Sequence, residues 1–528
     1  GYRWTLDKAL ARPVIAVSMC LVLPIAGFAV APHLDIEFFP PSGRDQFYIE
    51  LELPIQTSLE KTESTVLQAR QLIQKHPEVS DVHWFIGKSA PKIYYNIINN
   101  RENSSNYAQA LVQLQPKVSP LPVIQALQKE LDQAFPSAIV WARQLEQGPP
   151  FEAPIELRLY GPDLQRLREL GNQMRLVLDQ VPDVLHTRAT LAEALPKLSL
   201  KIDEEEARLA GLDKSAIAQQ LDNSLEGAVG GSVLEDTENL PVRVRLSNFK
   251  RGNLDQISSL DLLSNNTPTS GQERARIPLS AVGDVQLIPD VATIFRRNRQ
   301  RVNKLQGLLT AGVLPAKVLA DFQHRLAASD FQLPPGYSFD FGGEAETRST
   351  AVTNLLSTVS VLLVLMVGTL VLAFNSFAIA GVLGLIAILA AGFGLGSLSV
   401  FGYPFGFNPI LATVALIGIG INEATVVLAA LLEDPLAQSG DRQGVREVVV
   451  HSTRHMISTT ITDMCGFFPL LFDSTGFWPP FAIVMIGGLV GVTQLSLYCV
   501  PPAFLVIARR RSKISSFARK LSELDAKV

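Results

Sequence analysis

Long hydrophobic runs break this chain into uneven parts, with one run near the start and five more crowded into the last third. The first covers residues 13–33, and the others cover 351–373, 377–400, 407–432, 455–473 and 479–508. Each is close to the length a helix needs to cross a hydrocarbon core. Between the first and second lie roughly 310 residues of mixed polarity, enough for two or three small domains. The pattern predicts a polytopic α-helical membrane protein of six spans with a large α+β body on one side. A polar segment, 1–12, precedes the first span, and a basic tail, 509–528, follows the last.

Inside the body the periodicity repeats. FYIELELPIQTSLEKTESTVLQARQLIQKHPEVSDVHWF and PIELRLYGPDLQRLRELGNQMRLVLDQVPDVLHTRA share an alternating strand, a Pro-containing turn, an amphipathic helix, a Pro-acid-Val stop and a second strand. In the first copy Thr57 and Glu60 read as a capping box, Leu59, Val66, Ala69 and Ile73 as the buried stripe, and Pro77 as the stop. In the second, Asp163 reads as the N-cap, Leu167, Leu170, Met174 and Leu178 as the stripe, and Pro182 as the stop. Helices on one face of small split sheets predict ferredoxin-like βαβ units. The first unit is assigned to 34–150, and the second to 151–203 and 301–345. The interruption at 204–300 reads as a β-rich insertion, with a glycine-rich turn EGAVGGSV, a strand LPVRVRLS, a loop SNNTPTSGQERARIPLS and a strand VGDVQLI. GGEAE, ahead of the second span, reads as a turn and a helix start whose acids suit the dipole.

Charge and composition exclude more than they assign. The formal net charge is −4 and no basic face suggests nucleic acid. Cys20, Cys465 and Cys499 all fall within spans, so no disulfide framework is expected. HExxH, CxxC and GxSxG are absent and the histidines are scattered, so the residues support neither a metal site nor a hydrolase. GFGLGS and GIGIN lie inside apolar spans with no Walker lysine, so they carry no phosphate signal. No nucleophile, base and orienter cluster in the body, which argues against an enzyme. Arg3, Lys8 and Arg12 before the first span, and Arg509, Arg510, Arg511 and Lys513 after the last, predict that both termini lie in the cytoplasm. The start at Gly1, with no A-x-A cleavage site after the first run, leads to the expectation of further sequence upstream.

Polarity at membrane depth marks the candidate chemistry. LIGIGINEATVVL and RHMISTTITDMCGFFPLLF carry Asn422, Glu423, Ser458, Thr459, Thr460, Thr462 and Asp463 into the fourth and fifth spans. An intramembrane carboxyl costs a few kcal/mol and marks a functional site by default. Glu423 and Asp463 sit at similar depth on neighbouring antiparallel spans. Either the pair exchanges protons, or both are neutral acids bonded to neighbouring helices.

The order of one span, tandem βαβ units, GGEAE and five spans, with ALIGIGINEATVVL, TTITDMCGFFPLLF and GFWPPFAIVMIGGLV, resembles the C-terminal half of a resistance-nodulation-division (RND) efflux permease over almost the whole chain. EVSDVHWFIGKSAPKIYYNIINNRENSSNYAQALVQL resembles the porter segment of the drug and organic exporter branch. The resemblance implies a multi-pass protein of the bacterial inner membrane with its body in the periplasm. It implies secondary transport by proton antiport, drawing on the proton-motive force and needing no cofactor. The implied partners are the N-terminal half of the permease, a periplasmic adaptor, an outer-membrane channel and two further copies in a homotrimer. The insertion would be the docking subdomain. The cargo would be a lipophilic or amphiphilic compound, an expectation strengthened by the scattering of only six Met. Trp84, Phe85, Ile86, Tyr94 and Tyr95 would lie along the cargo path, with ordinary strand packing as the competing reading.

The resemblance also implies a proton relay in which aspartates of the other half face a lysine and a threonine. The lysine position falls at Asn422 and the threonine at Thr459, with Glu423 and Asp463 as additional acids. The relay is therefore rewired through these residues, or the chain is a non-energising partner subunit. A lipid-binding, sterol-sensing-like receptor is the reading from another class.

Overall fold

The computed structural model describes residues 1–191, 194–236, 238–247, 253–265, 274–291 and 293–510. Helix α1 (Tyr2–Ala11) ends at Arg12, whose non-helical backbone precedes α2 (Pro13–Val30), with Pro13 at the first helical position. Fixed φ and a missing N–H suit proline to that place.

The body begins with β1 (Gln46–Glu52), α3 (Leu59–Ile73), β2 (Val79–Ile86), β3 (Tyr107–Leu114), α4 (Pro120–Ala134) and β4 (Ile139–Gln144). All pairings are antiparallel and the order is β2-β3-β1-β4. Phe47, Ile49 and Leu51 alternate along β1 and share one core with Val66, Ala69 and Ile73 of α3 and Ile124, Leu127 and Leu131 of α4. The cap of α3 is Ser58, whose hydroxyl accepts the Lys61 N–H at 3.3 Å, one residue beyond the expected Thr57 box. That shift turns Leu59 outward, and Thr62 and Thr65 take the expected place of an apolar residue in the buried stripe.

The second unit opens with β5 (Ile155–Tyr160), α5 (Leu164–Asp179) and β6 (Val184–Ala189). Asp163 caps α5 by accepting the Arg166 N–H at 2.7 Å, and Leu167, Leu170, Met174 and Leu178 are buried as their spacing predicts.

A separate compact unit, Leu191–Ile294, follows. It holds β7 (Ala194–Ile202), α6 (Glu204–Leu209), α7 (Lys214–Leu225), β8 (Ala228–Glu235), β9 (Glu238–Val244), α8 (Leu254–Ser258), β10 (Asp261–Leu263), β11 (Arg276–Pro278) and β12 (Gly283–Val291). Strand β7, assigned from sequence to the preceding unit, pairs along its whole length with β12, so this unit starts before residue 204 and ends before 300. EGAVGGSV is mostly strand and not turn: β8 pairs with β9 around a register shift between Val229 and Gly231. Part of the loop read at SNNTPTSGQERARIPLS lies outside the described residues.

The second sheet then closes with β13 (Arg296–Arg297), β14 (Gln300–Leu309), α9 (Pro315–Ala328) and β15 (Ser338–Gly342). With β6 and β5 on either side of β14 and β15 on β5, it repeats the strand order of the first sheet.

Gly343 turns β15 directly into α10 (Gly343–Phe374), followed by α11 (Phe377–Phe401), α12 (Phe407–Glu433), α13 (Pro435–Gln438), α14 (Arg442–Phe467) and α15 (Pro479–Tyr498). Among the described residues, five helices are long and apolar enough to cross a membrane: α2, α10, α11, α12 and the helix beginning at Pro479. The sixth expected span, 455–473, is the later part of α14 and a following 3-10 turn. His451, Arg454, His455, Ser458, Thr459, Thr462 and Asp463 make α14 too polar to meet the same measure. The expected connector 433–454 is itself mostly helical. Helices α2 and α11 cross closely at Gly27 and Gly392, where a methyl on either glycine would overlap the other helix's backbone. Most of the tail read at 509–528 lies outside the described residues.

Candidate functional site

Glu423 sits in the middle of α12 with only 3 % of its surface exposed. Opposite it, α14 presents Thr460 and α15 presents Thr493. The Thr460 hydroxyl is 3.2 Å from Glu423 Oε1, the Thr493 hydroxyl is 3.1 Å from Oε2, and the two hydroxyls are 2.7 Å apart. Three oxygen–oxygen contacts need three protons, and two hydroxyls supply two. A protonated Glu423 would supply the third. Its O–H then donates to Thr460, Thr460 donates to Thr493, and Thr493 donates back to the second carboxyl oxygen. Every member donates once and accepts once.

With the carboxyl ionised, both hydroxyls donate to it and no proton remains between them. Two oxygens 2.7 Å apart without a shared hydrogen repel. The helix carbonyls of Met456 and Leu489, at 2.9 and 3.0 Å from the same hydroxyls, offer each a second acceptor within its own helix. Each hydroxyl thus has an acceptor in its own helix as well as one in the ring.

The relay residues expected from sequence are only partly gathered here. Asn422 is one residue, about 100° of helix turn, from Glu423 and is exposed. Thr459 is half-buried and donates to the His455 carbonyl of its own helix at 3.0 Å. Asp463 is half-buried and forms no hydrogen bond or ion pair with Glu423 among the described residues. Thr460 was one of several polar residues noted at depth. Thr493 is missed by the sequence reading, and its signal is a Thr-Gln pair in a last span that also carries Ser496.

A second feature lies in the body. A cleft of about 860 Å³ opens between the two sheets, bounded by Phe38, Phe39, Trp141, Arg143, Leu314 and Glu344 among others. Arg143 is buried against the Trp141 ring at 4.1 Å and pairs with Glu146 at 3.1 Å. Burial raises the Glu37 carboxyl above the ordinary range at the cleft's edge. None of the five aromatic-segment residues expected along a cargo path lines this cleft. Trp84 and Ile86 pack into the core of the first sheet, and Tyr94 packs with Tyr48, Ile97 and Leu145. Phe85 is half-buried. Tyr95 is largely exposed, its hydroxyl accepting the Gly148 N–H at 2.9 Å.

A chain of polar contacts runs from the first sheet to α10. Arg188 bridges Glu52 of β1 at 2.9 Å and Gln306 of β14 at 2.6 Å. Gln306 donates to Glu156 at 3.0 Å, and Arg158 joins Glu156 at 2.6 Å to Glu346 at 2.7 Å. Arg297 holds the other oxygen of Glu346 at 2.8 Å. Glu346 lies in the first turn of α10, so the sheets and a long apolar helix share one ionic network.

Duplicated βαββαβ units joined directly to a bundle of long apolar helices, with a buried carboxyl–hydroxyl cluster among those helices, define the class as a polytopic α-helical membrane protein. The AcrB/AcrD/AcrF family profile matches residues 1–508, and the chain belongs to that family of RND permeases. It is 24 % identical over 548 residues to the nickel-cobalt-cadmium resistance protein NccA of Alcaligenes xylosoxydans xylosoxydans, covering 99 % of this chain and 49 % of NccA. It is 24 % identical over 539 residues to the cobalt-zinc-cadmium resistance protein CzcA of Cupriavidus metallidurans, covering 96 % of this chain and 48 % of CzcA. The crystal structure of a heavy metal efflux pump superposes with a TM-score of 0.77 at 19 % identity, covering 96 % of this chain and 51 % of the pump. The chain therefore spans about half the length of the proteins it matches. These relatives are metal-resistance proteins by name, which does not support the expected drug and organic exporter branch.

Proposed function

We propose that this chain is the C-terminal half of a proton-driven RND efflux permease in which Glu423 carries the proton. The observation that carries this reading is the closed ring of Glu423, Thr460 and Thr493, whose three contacts are satisfied by one proton more than the hydroxyls hold. Loss of that proton puts unshielded oxygens of α14 and α15 against each other and favours their separation. Reprotonation closes the ring. Glu346, in the first turn of α10, offers a route from bundle movement to the sheets through Arg158 and Arg188.

Cargo would pass through the cleft between the two units, which we read as ferredoxin-like porter subdomains. The first cargo reading is a divalent metal cation. It rests on the names of the relatives and on four carboxylates, Glu37, Asp45, Glu146 and Glu344, along the cleft. A lipophilic or amphiphilic compound is the second reading, favoured by the cleft's Phe38, Phe39, Trp141 and Phe151. Among the described residues no group of three or more His, Cys, Asp and Glu is placed to hold a metal ion, which weighs on the same side. An adaptor, an outer-membrane channel, trimer formation and cytoplasmic termini belong to this proposal through the family.

The test compares wild type, Glu423→Gln and Asp463→Asn in cells carrying the complete system, at equal membrane abundance. Tolerance to nickel, cobalt, zinc and cadmium is scored beside efflux of a lipophilic dye. Loss of both phenotypes only in Glu423→Gln supports the proton role, and the phenotype that wild type confers names the cargo class. Full activity of Glu423→Gln overturns the proton role and leaves the non-energising partner reading.

A further inference from the structure

We propose that the outward face of α1 is a binding surface for the headgroups of anionic phospholipids in the leaflet that α2 enters. Helix α1 is held by its inner face. Leu6 and Leu10 are fully buried in the main core of the helix bundle, and Tyr2 packs edge-on against Tyr498 of α15. Asp7, the only acid on the helix, is turned toward α14, where it pairs with Arg446 at 3.2 Å. The outer face is consequently left with positive charge alone. Arg3, Lys8 and Arg12 are exposed, and none forms an ion pair among the described residues.

Trp4 lies on the same face with 62 % of its surface exposed, and the Lys8 ammonium sits 3.6 Å from the centre of its ring. Trp4, Lys8 and Arg12 follow one another at four-residue intervals, which aligns them along one side of the helix. The chain bends at Arg12, and Val14 and Ile15 in the first turn of α2 are exposed apolar residues. The helix therefore presents a tryptophan with Lys8 and Arg12 along one side, and exposed Arg3 about 100° round from Trp4, immediately before an apolar span begins. Tryptophan favours the headgroup level, and basic side chains there attract anionic lipid. A water-facing surface would need the cations but gains nothing from a fixed, exposed indole. A zwitterionic headgroup would satisfy the indole and leave three charges without a counterion.

The test uses the full chain in bilayers of phosphatidylethanolamine and phosphatidylglycerol, with the bromine-labelled acyl chains placed on one lipid or the other. Quenching assigned to Trp4 is the difference between wild type and Trp4→Phe. Local enrichment of phosphatidylglycerol over its bulk fraction by about fivefold or more is expected, the effect of at least one basic residue at a charged surface. Arg3→Gln/Lys8→Gln/Arg12→Gln should bring quenching by the two labelled lipids to the same level while the protein's melting temperature stays unchanged. Equal quenching by both lipids in wild type overturns the proposal, as does an enrichment that survives the triple change. Absence of Trp4 quenching by either lipid also overturns it, because the face is then covered by protein.

Discussion

Thr493→Val separates the site found in the fold from the one expected from sequence. Valine keeps the shape of threonine and removes one hydroxyl, so the cluster loses its contacts to Glu423 Oε2 and to Thr460 without a cavity. The ionised carboxylate then keeps a single donor. A hydrogen bond to a charged group contributes about 1.5–3 kcal/mol, which at 1.36 kcal/mol per decade corresponds to roughly 10- to 150-fold in the population of the proton-released arrangement. If the cycle passes through that arrangement, transport falls by a similar factor. The assay is proton-gradient-driven cargo efflux from liposomes containing the complete permease, normalised to inserted protein. Thr493→Ser restores the hydroxyl and is expected to recover most of the rate, and Thr459→Val, outside the ring, is expected to stay within twofold of wild type. Activity of Thr493→Val near wild type together with an inactive Thr459→Val would refute the reasoning and return the relay to the expected threonine.

Other outcomes follow from neighbouring features. Arg158→Met leaves the buried Glu156 carboxylate without its ion-pair partner and Glu346 with Arg297 alone, so a loss of about 3–5 kcal/mol is expected, partly recovered in Arg158→Met/Glu156→Met; thermal unfolding in detergent reads both. Gly392→Ala forces a methyl into the Pro24 carbonyl of α2 and should cost at least about 1–3 kcal/mol, seen as a lower yield of detergent-stable protein. Burial raises the Glu37 carboxyl in the folded state, so its cost is absent below the ordinary carboxylate range and is fully felt above the raised folded value. Stability should therefore decline as pH rises through that window, and Glu37→Gln should flatten the decline in a series of melting curves.

The parts of the fold that were legible in sequence are those written in local periodicity. The stripe of α5 and its Asp163 cap needed only near neighbours along the chain, and both are found as predicted. The cap of α3 slipped by one residue because Thr57, Ser58 and Glu60 offer overlapping capping signals, and the sheet decides among them. The end of the insertion was illegible for a different reason. Strand β7 has its partner, β12, some eighty residues later, and alternation identifies a strand without naming the strand it joins.

The polar cluster exposes the same limit at the site itself. Glu423 announces itself, since a carboxyl within an apolar run is costly wherever the helix is placed. Choosing its partners requires the rotation of three helices about their axes, and depth along the membrane leaves that rotation free. Asp463 has suitable depth and lies three residues from Thr460, yet Thr460 is the one that reaches Glu423. Thr493 comes from a helix whose other inward residues are apolar or glycine except Ser496, and two small hydroxyls in an apolar run carry little weight in any sequence pattern. A threonine in an apolar helix ordinarily satisfies its own carbonyl one turn back, and Thr460 and Thr493 both retain that option. That option lets a hydroxyl leave the ring without becoming an unsatisfied donor. Threonine is therefore suited to a site that must open and close with a proton, where a lysine would hold a fixed positive charge against Glu423 in both arrangements.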